Sequence, residues 1–490
     1  GDAKAGVAQI GNEIVACRFF GGRHAVTTGR TSAGWQALLM DCAFAGQAEA
    51  AIETSSAGLT VIGCRFRDAP CGIVVPGGRI ERLYVRDSRF ERIPSAAILV
   101  DRTEKPSNQI NLDSVTCAAV PHLLRFRDGE GGVDAAGELY AVRRLSHGLH
   151  VEGACSRTAR TWHGTSSDCR KLEALPAMPE SDIPPLPPQD RWVSVVACGA
   201  KGDGRTDDTQ AFRKAVASGP AVYVPSGRYL LSDTIELRPN TALIGLHPRA
   251  AMLTVKAQTP GFADANTPKP LIVAPKGGGN IICGLGFAPG RNPGAIVVKW
   301  SAGERSCVDD VFFMYGGGPS GEGLCYGLWV AGGGGVFKNI WAPNGQARNG
   351  LYVSETNTEG KIILVSVEHH TTTEVRLDRV RNWAFDALQT ETEGGLGETC
   401  TAVEMAGCED ITFSNLFLYR TSRTKRPHPH GVRLAGCRDI AFRGVHNFSL
   451  SRVPYTTTLF DADANTGVPQ REAACVTVRP PASAGAAGGE

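Results

Sequence analysis

Charge of one sign is missing from this chain. Its 490 residues carry 51 Lys+Arg against 49 Asp+Glu, a formal +2, and only 20 % of positions are charged. That balance excludes a basic nucleic-acid binder and an acidic solvated coil, and points to an uncharged or small partner. Long hydrophobic runs are missing as well. Apolar residues come in short runs that fall well below the roughly 18 a membrane span needs. Aromatics are sparse at 7 %, and no repeat unit holds a helical stretch long enough to cover a sheet, which excludes a helical bundle. What the chain has in plenty is glycine, 59 in all, the mark of many tight turns between short strands. The length implies two or three domains or one long repeat array.

Fifteen cysteines suggest a secreted disulfide framework, but an odd count spread over a long chain fits planned bridges poorly. Position explains them better. Cys17, Cys42 and Cys64 each sit two residues before a phenylalanine, and Ser88 takes the same place before Phe90. Phe19, Phe44, Phe66 and Phe90 are separated by 25, 22 and 24 residues, a period that signals repeat architecture. Each unit holds only short strand-like segments such as Leu59-Thr-Val-Ile62, so units must bury their apolar faces on copies of themselves. A coil of short parallel strands advancing one strand spacing, about 4.8 Å, per turn satisfies this. The expected fold is all-β, two tandem right-handed parallel β-helices, with Cys17, Cys42, Cys64 and Ser88 as an interior stack.

A second period lies towards the other end. Val375-Arg-Leu, Val403-Glu-Met and Val432-Arg-Leu open segments that continue through Trp383-Ala-Phe, Ile411-Thr-Phe and Ile440-Ala-Phe, at spacings of 28 and 29. Between the arrays the proline-rich stretch from Pro176 to Pro188 cannot continue a sheet. The expected division is therefore a first helix over 1–175, a linker over 176–189, a second helix over 190–478 and a loose tail over 479–490. After the linker, a strand over Val193–Val196 and the turn 199–204 lead to Thr206-Asp-Asp208, which supplies N-cap groups for a short helix through about Ser218. Such a helix would cap an open solenoid end. The glycine-rich turn lacks the Gly-Lys-Ser/Thr ending of a phosphate loop.

Gly202-Asp-Gly-Arg-Thr-Asp-Asp-Thr209, Pro225-Ser-Gly-Arg-Tyr229 and Asn240-Thr-Ala-Leu-Ile-Gly245 resemble the opening of the pectate-lyase-like superfamily. Pro293-Gly-Ala-Ile-Val-Val-Lys-Trp300, Glu368-His-His370 and Gln389-Thr-Glu-Thr392, in that order, resemble the second helix of glycoside hydrolase family 55, tandem β-helix exo-acting β-1,3-glucanases. The resemblance implies an inverting hydrolysis with Glu391 as general acid and Glu368 assisting. It also implies that Gln36 and Ser56 of the first helix hold the attacking water; no cofactor and no metal are expected.

The residues support part of this unaided. Glu368 and Glu391 are 23 residues apart, close to one coil, so both fall on one side of neighbouring turns. The local repeat of 28 to 29 leaves different faces open. Two carboxylates sharing a site cannot both ionise cheaply, so one stays protonated near neutral pH and can donate to a leaving oxygen. Gln389 flanks Glu391 and His369 flanks Glu368. Tyr419 and Arg420 are expected to stack one coil beyond the acid, where an aromatic face packs on a sugar ring and an Arg holds hydroxyls or a carboxylate. Trp35 is either a packing residue or a substrate contact. His369 and His370, with His428 and His430, invite a metal, but no carboxylate or Cys is fixed at ligand spacing.

Three functions follow: a glycosidase acting on a β-glucan-like polymer, a polysaccharide lyase acting on a uronate polymer, and a non-catalytic, tailspike-like glycan binder. The expected partner is a polysaccharide or oligosaccharide. No signal peptide is legible at Gly1, and an extracellular or periplasmic location is expected from the substrate. Monomer and homo-oligomer stay open.

Overall fold

The computed structural model describes residues 12–28, 36–55, 57–101, 108–127, 131–156, 159–314, 325–343 and 347–478. Trp35, Ser56 and the tail 479–490 lie outside them. The fold is an all-β solenoid of about 16 turns. Coil follows coil in parallel register: Ala37–Met40 pairs Leu59–Ile62, and Val375, Val403 and Val432 fall in line. The phenylalanine period is an interior ladder, with ring centroids 5.1, 4.9 and 4.5 Å apart from Phe19 through Phe90, near-parallel at each step. Rings at one strand spacing stack offset and fill the coil axis. Trp383, Ile411 and Ile440 align, as do Phe385, Phe413 and Phe442.

All fifteen cysteines are free thiols. Cys42 and Cys64 are buried, and the Ser88 hydroxyl accepts the Cys64 N–H at 3.1 Å, so the serine takes over the cysteine's place in the stack. Cys17, in the first described coil, is exposed.

The strand pairing does not resolve into two separate tandem helices. Apolar residues form two large interior clusters, one from Leu39 to Leu145 and one from Val151 to Val478, but the ladder between them is continuous. The long strand Leu139–Ala154 pairs antiparallel with Gln109–Ala118 and parallel with Glu472–Val478. With Arg160–Lys171 it forms a hairpin that the sequence reading had not foreseen.

The two halves also lie side by side. Leu38, Met40 and Ile62 point away from the first interior and pack on Ile244, Ile281, Val336 and Ile363 of the second half. Buried charge pins this seam. Arg86 bonds Asp386 at 2.8 Å, Asp182 at 2.7 Å and Asp87 at 2.6 Å. Arg82 holds Glu472 through two bonds, and Lys338 reaches Glu13 at 2.6 Å. The proline-rich stretch threads the same seam, since Asp182 also takes Lys361 at 2.8 Å.

The cap helix is Thr209–Ser218. Its N-cap is Asp208, whose carboxylate turns back to the Lys201 and Gly202 N–H groups at 2.6 and 3.1 Å instead of capping. Asp207 accepts the Thr209 N–H at 3.0 Å, and Thr206 belongs to the preceding strand Asp203–Asp207. The first strand after the linker is Trp192–Ser194.

Candidate functional site

Glu368 ends the strand Gly360–Glu368, and Glu391 lies near the end of the long strand Thr373–Thr392. The two are direct register partners, and Glu391 is in turn the partner of Tyr419. The 23-residue spacing is therefore one coil, because the turn from Glu368 to the next strand is short. Side chains alternate along a strand, so the row Ser366, Gln389, Phe417 and the row Glu368, Glu391, Tyr419 share one face.

Environments within the cluster differ sharply. Glu368 is 2 % exposed; its carboxyl accepts the Ser366 hydroxyl at 2.6 Å. Burial, and then the charge of Glu391, push its pKa up to about 7. His369 reaches Glu391 Oε1 through Nε2 at 3.2 Å. Burial opposes its charge, yet the bond to Glu391 and the nearby carboxylates win and raise it to about 9. Near neutral pH Glu368 is partly protonated, beside a His369 imidazolium that bonds Glu391. The carboxyl that burial and a neighbouring charge raise is thus Glu368, the residue expected to assist. Tyr419 is 7 % exposed, stacks on Phe448 at 4.7 Å, and burial raises its phenol.

Two other expected residues do different work. Arg420 faces the opposite side of its strand and is completely buried. It donates to the carbonyls of Val453, Glu398 and Arg426 at 3.1, 3.1 and 2.8 Å and lies over the Tyr455 ring. It ties down the loop that follows it and has no path to a substrate. Gln36 does come from the first half to this face, but its Nε2 donates to the Asn415 carbonyl across the seam. Asn415 answers by donating to Leu59 O, Thr60 Oγ1 and Arg82 O at 3.2, 3.1 and 3.1 Å. Gly58 sits against Phe417 so closely that a Cβ would lie 2.7 Å from the ring. The first half thus abuts the row beside the carboxylates. Gln389 is buried in that row, in register with Phe417.

Glu393 and Glu374 were not singled out. Glu393 accepts the Thr421 hydroxyl at 2.6 Å and lies 3.9 Å from His369, adding a third carboxylate; its polar surroundings made it read as loop. His370 and Glu374 form a fully buried pair, and the His370 N–H also points to the Glu374 carboxylate at 3.3 Å. That pair holds the turn in which His369 adopts φ +69°.

Donor atoms of Glu368, His369 and Glu391 lie within 4.8 Å of one another, so these three could also hold a cation. His369 would first have to release its proton, which its carboxylate neighbours oppose. His428 and His430 are spent elsewhere, on the Thr399 carbonyl and the Thr457 hydroxyl.

Residues 192–269 match the family model described as rhamnogalacturonase A/epimerase, pectate lyase-like. A probable glucan endo-1,3-beta-glucosidase of Arthroderma benhamiae is 34 % identical over 139 residues, 26 % of this chain and 15 % of that protein. A preneck appendage protein of Bacillus phage PZA is 52 % identical over 61 residues, 12 % of this chain and 7 % of that protein. Both relatives are thus matched over a small part of their own length. Among solved structures, sacteLam55A from Streptomyces sp. SirexAA-E aligns over 90 % of this chain and 82 % of its own, at 13 % identity and a TM-score of 0.44. The motifs at 202–245, the parallel coils and the matched family model together make residues 192–269 a pectate-lyase-like segment of a β-solenoid.

Proposed function

We propose that this chain is a glycoside hydrolase acting on a β-linked glucan. The observation that carries the reading is the register pair Glu368 and Glu391, two carboxylates in neighbouring coils held in different protonation environments by burial and by His369. Separating the acid and base roles of two carboxyls in this way is what general acid catalysis needs near neutral pH. Similarity to a glucan endo-1,3-beta-glucosidase over 139 residues supports the substrate class.

The roles follow from accessibility. Glu391, with 13 % of its side chain exposed, faces the substrate, and Glu368 beneath it stores the proton. Their oxygens lie within 4.8 Å of each other, close enough for a proton to pass through one intervening water. As the glycosidic C–O bond breaks, the leaving oxygen takes a proton from Glu391, which is resupplied from Glu368. The pair is too close to flank the bond with a water between, a geometry that needs roughly 6.5–9.5 Å. The attacking water is therefore assigned to the side of the first half, to which Gln36 belongs, with inversion as the outcome and the water's proton passing to solvent. In this reading the two halves, 1–175 and 190–478, wall one cleft, and the protein works outside the cytoplasm, where such polymers occur.

The test is reducing-sugar release across β-1,3-glucan, other glucans and uronans. Wild type should act on a β-glucan, and Glu391→Gln should abolish that activity while the fold persists. Turnover surviving in both Glu391→Gln and Glu368→Gln would end the assignment. Burial of Arg420 removes one of the cations a uronate lyase could have used. A second reading is favoured by the 52 % identity to a phage appendage protein: a glycan-binding appendage without turnover, which predicts that wild type binds a polysaccharide it never cleaves.

A further inference from the structure

Far along the coil from the carboxylates, the turns that join the two sheets of the second half line a trough. A cavity of about 920 Å³ runs past Lys276, Glu304, Asn357, Asn382 and Asp410, and a second of about 520 Å³ continues it under the proline-rich stretch at 180–185. The two share Glu304, Glu359 and Lys361.

Register explains the layout. Ala274 pairs Trp300, Trp300 pairs Val330, Ala331 pairs Ser354, Ser354 pairs Asp378, and Arg381 pairs Glu409. The turns carrying Lys276, Glu304, Gly332, Asn357, Asn382 and Asp410 therefore belong to six successive coils. Each coil advances one strand spacing, about 4.8 Å, close to the length of one pyranose ring in an extended chain.

We infer that this trough is a second binding site, for an extended neutral polysaccharide laid along the solenoid axis with about one sugar per coil. The wall chemistry selects that class. Lys276 and Lys361 face Glu304, Glu359 and Asp410, with the amides of Asn357 and Asn382 between. A polyanion would meet the carboxylates and a polycation the lysines, whereas hydroxyl groups pair with either sign and with amides. A peptide would need an apolar pocket for its anchors, and the aromatic ring of the wall, Trp383, is buried with its N–H on the Thr358 carbonyl at 3.0 Å. Among the described residues the side chains of Lys276, Glu304 and Asn357 have no hydrogen-bond or ion-pair partner and are exposed, so they are free to take a ligand.

The inference extends the proposed glycan activity but stands on different residues. Its test is affinity electrophoresis of the full chain through gels holding a neutral β-glucan, a uronan or chitosan, with three proteins compared: wild type, Glu391→Gln, and the triple variant Lys276→Ala/Glu304→Ala/Asn357→Ala. None of those three positions has positive φ, so the triple variant should keep its melting temperature. The expected result is retardation by the neutral glucan for wild type and Glu391→Gln, and about tenfold weaker retention for the triple variant, the loss of one or two hydrogen bonds. Turnover of a short soluble substrate should be unchanged in the triple variant. Equal retention of wild type and triple variant, or retention by the charged polymers alone, would overturn the trough. Loss of turnover in Glu391→Gln bears on the hydrolase reading and leaves the trough untouched.

Discussion

Glu368 and Glu391 are partners in one strand register, and His369, the residue between them in the cluster, binds the second through Nε2 at 3.2 Å. Two carboxyl groups and an imidazole are thus fixed by a single β-ladder step.

Replacing either carboxyl should separate chemistry from folding. Glu391→Gln is expected to lower kcat by about 10²–10⁴, the usual share of a positioned acid, while the protein stays folded. Glu368→Gln should also lower kcat and should flatten the fall of stability between pH 4.5 and about 7, because it removes the group that binds the extra proton. Steady-state kinetics and calorimetry on the two variants check both.

The pH dependence has a definite sign. Glu368 goes from an ordinary 4.5 to about 7 on folding, so the folded protein binds the extra proton between those values and its stability falls as pH rises through the window. His369 is raised from 6.5 to about 9, so its contribution is complete below 6.5 and is lost as pH rises through 9. The kcat/KM profile should fall above about pH 7 as the pair loses its proton. His369→Gln removes a cation that lowers Glu368 and should move that alkaline limb upward. A limb that stays in place would show that the pair is not the titrating acid.

Arg86 is the keystone of the seam, bonding Asp386 and Asp182 at once. Arg86→Ala strands the fully buried Asp386 carboxylate and should cost about 3–5 kcal/mol, whereas Arg86→Met with Asp386→Leu should recover much of it. Chemical denaturation of the three proteins measures the difference.

Gly58→Ala should be disruptive at the join. Its φ of +61° disfavours a side chain, and the new Cβ would press on the Phe417 ring. A loss of about 2 kcal/mol or more is expected, together with a higher KM if the first half lines the cleft.

Arg420→Lys distinguishes a structural arginine from a substrate contact. Lysine cannot reach three carbonyls at once, so stability should fall by about 2–4 kcal/mol. KM should hold for the folded fraction.

Much of this was legible in the chain. Phe19 to Phe90 announced the interior ladder because each coil spends one large residue at the same place, and the Glu368 to Glu391 spacing announced the register pair. The seam was not legible. Leu38, Met40 and Ile62 alternate with interior Leu39 and Val61, so the strands read as buried on both faces without saying what covers the second. The hairpin of Arg160–Lys171 was hidden by its polarity, and Arg420 misled because a buried cation satisfied by carbonyls looks, in sequence, like any other arginine. The identity of the elevated carboxyl depended on burial depth, which spacing does not encode.

The stretch at 176–188 is stapled to both sides of the molecule, through Asp182 to Arg86 and Lys361 and through the Trp192 indole to the Pro187 carbonyl at 2.8 Å. With shared apolar packing and a common ladder behind it, this connection is not a tether that sets how far two bodies may drift. A protease that severed it would leave a nicked protein of undiminished size on a sizing column, its fragments parting only in denaturant.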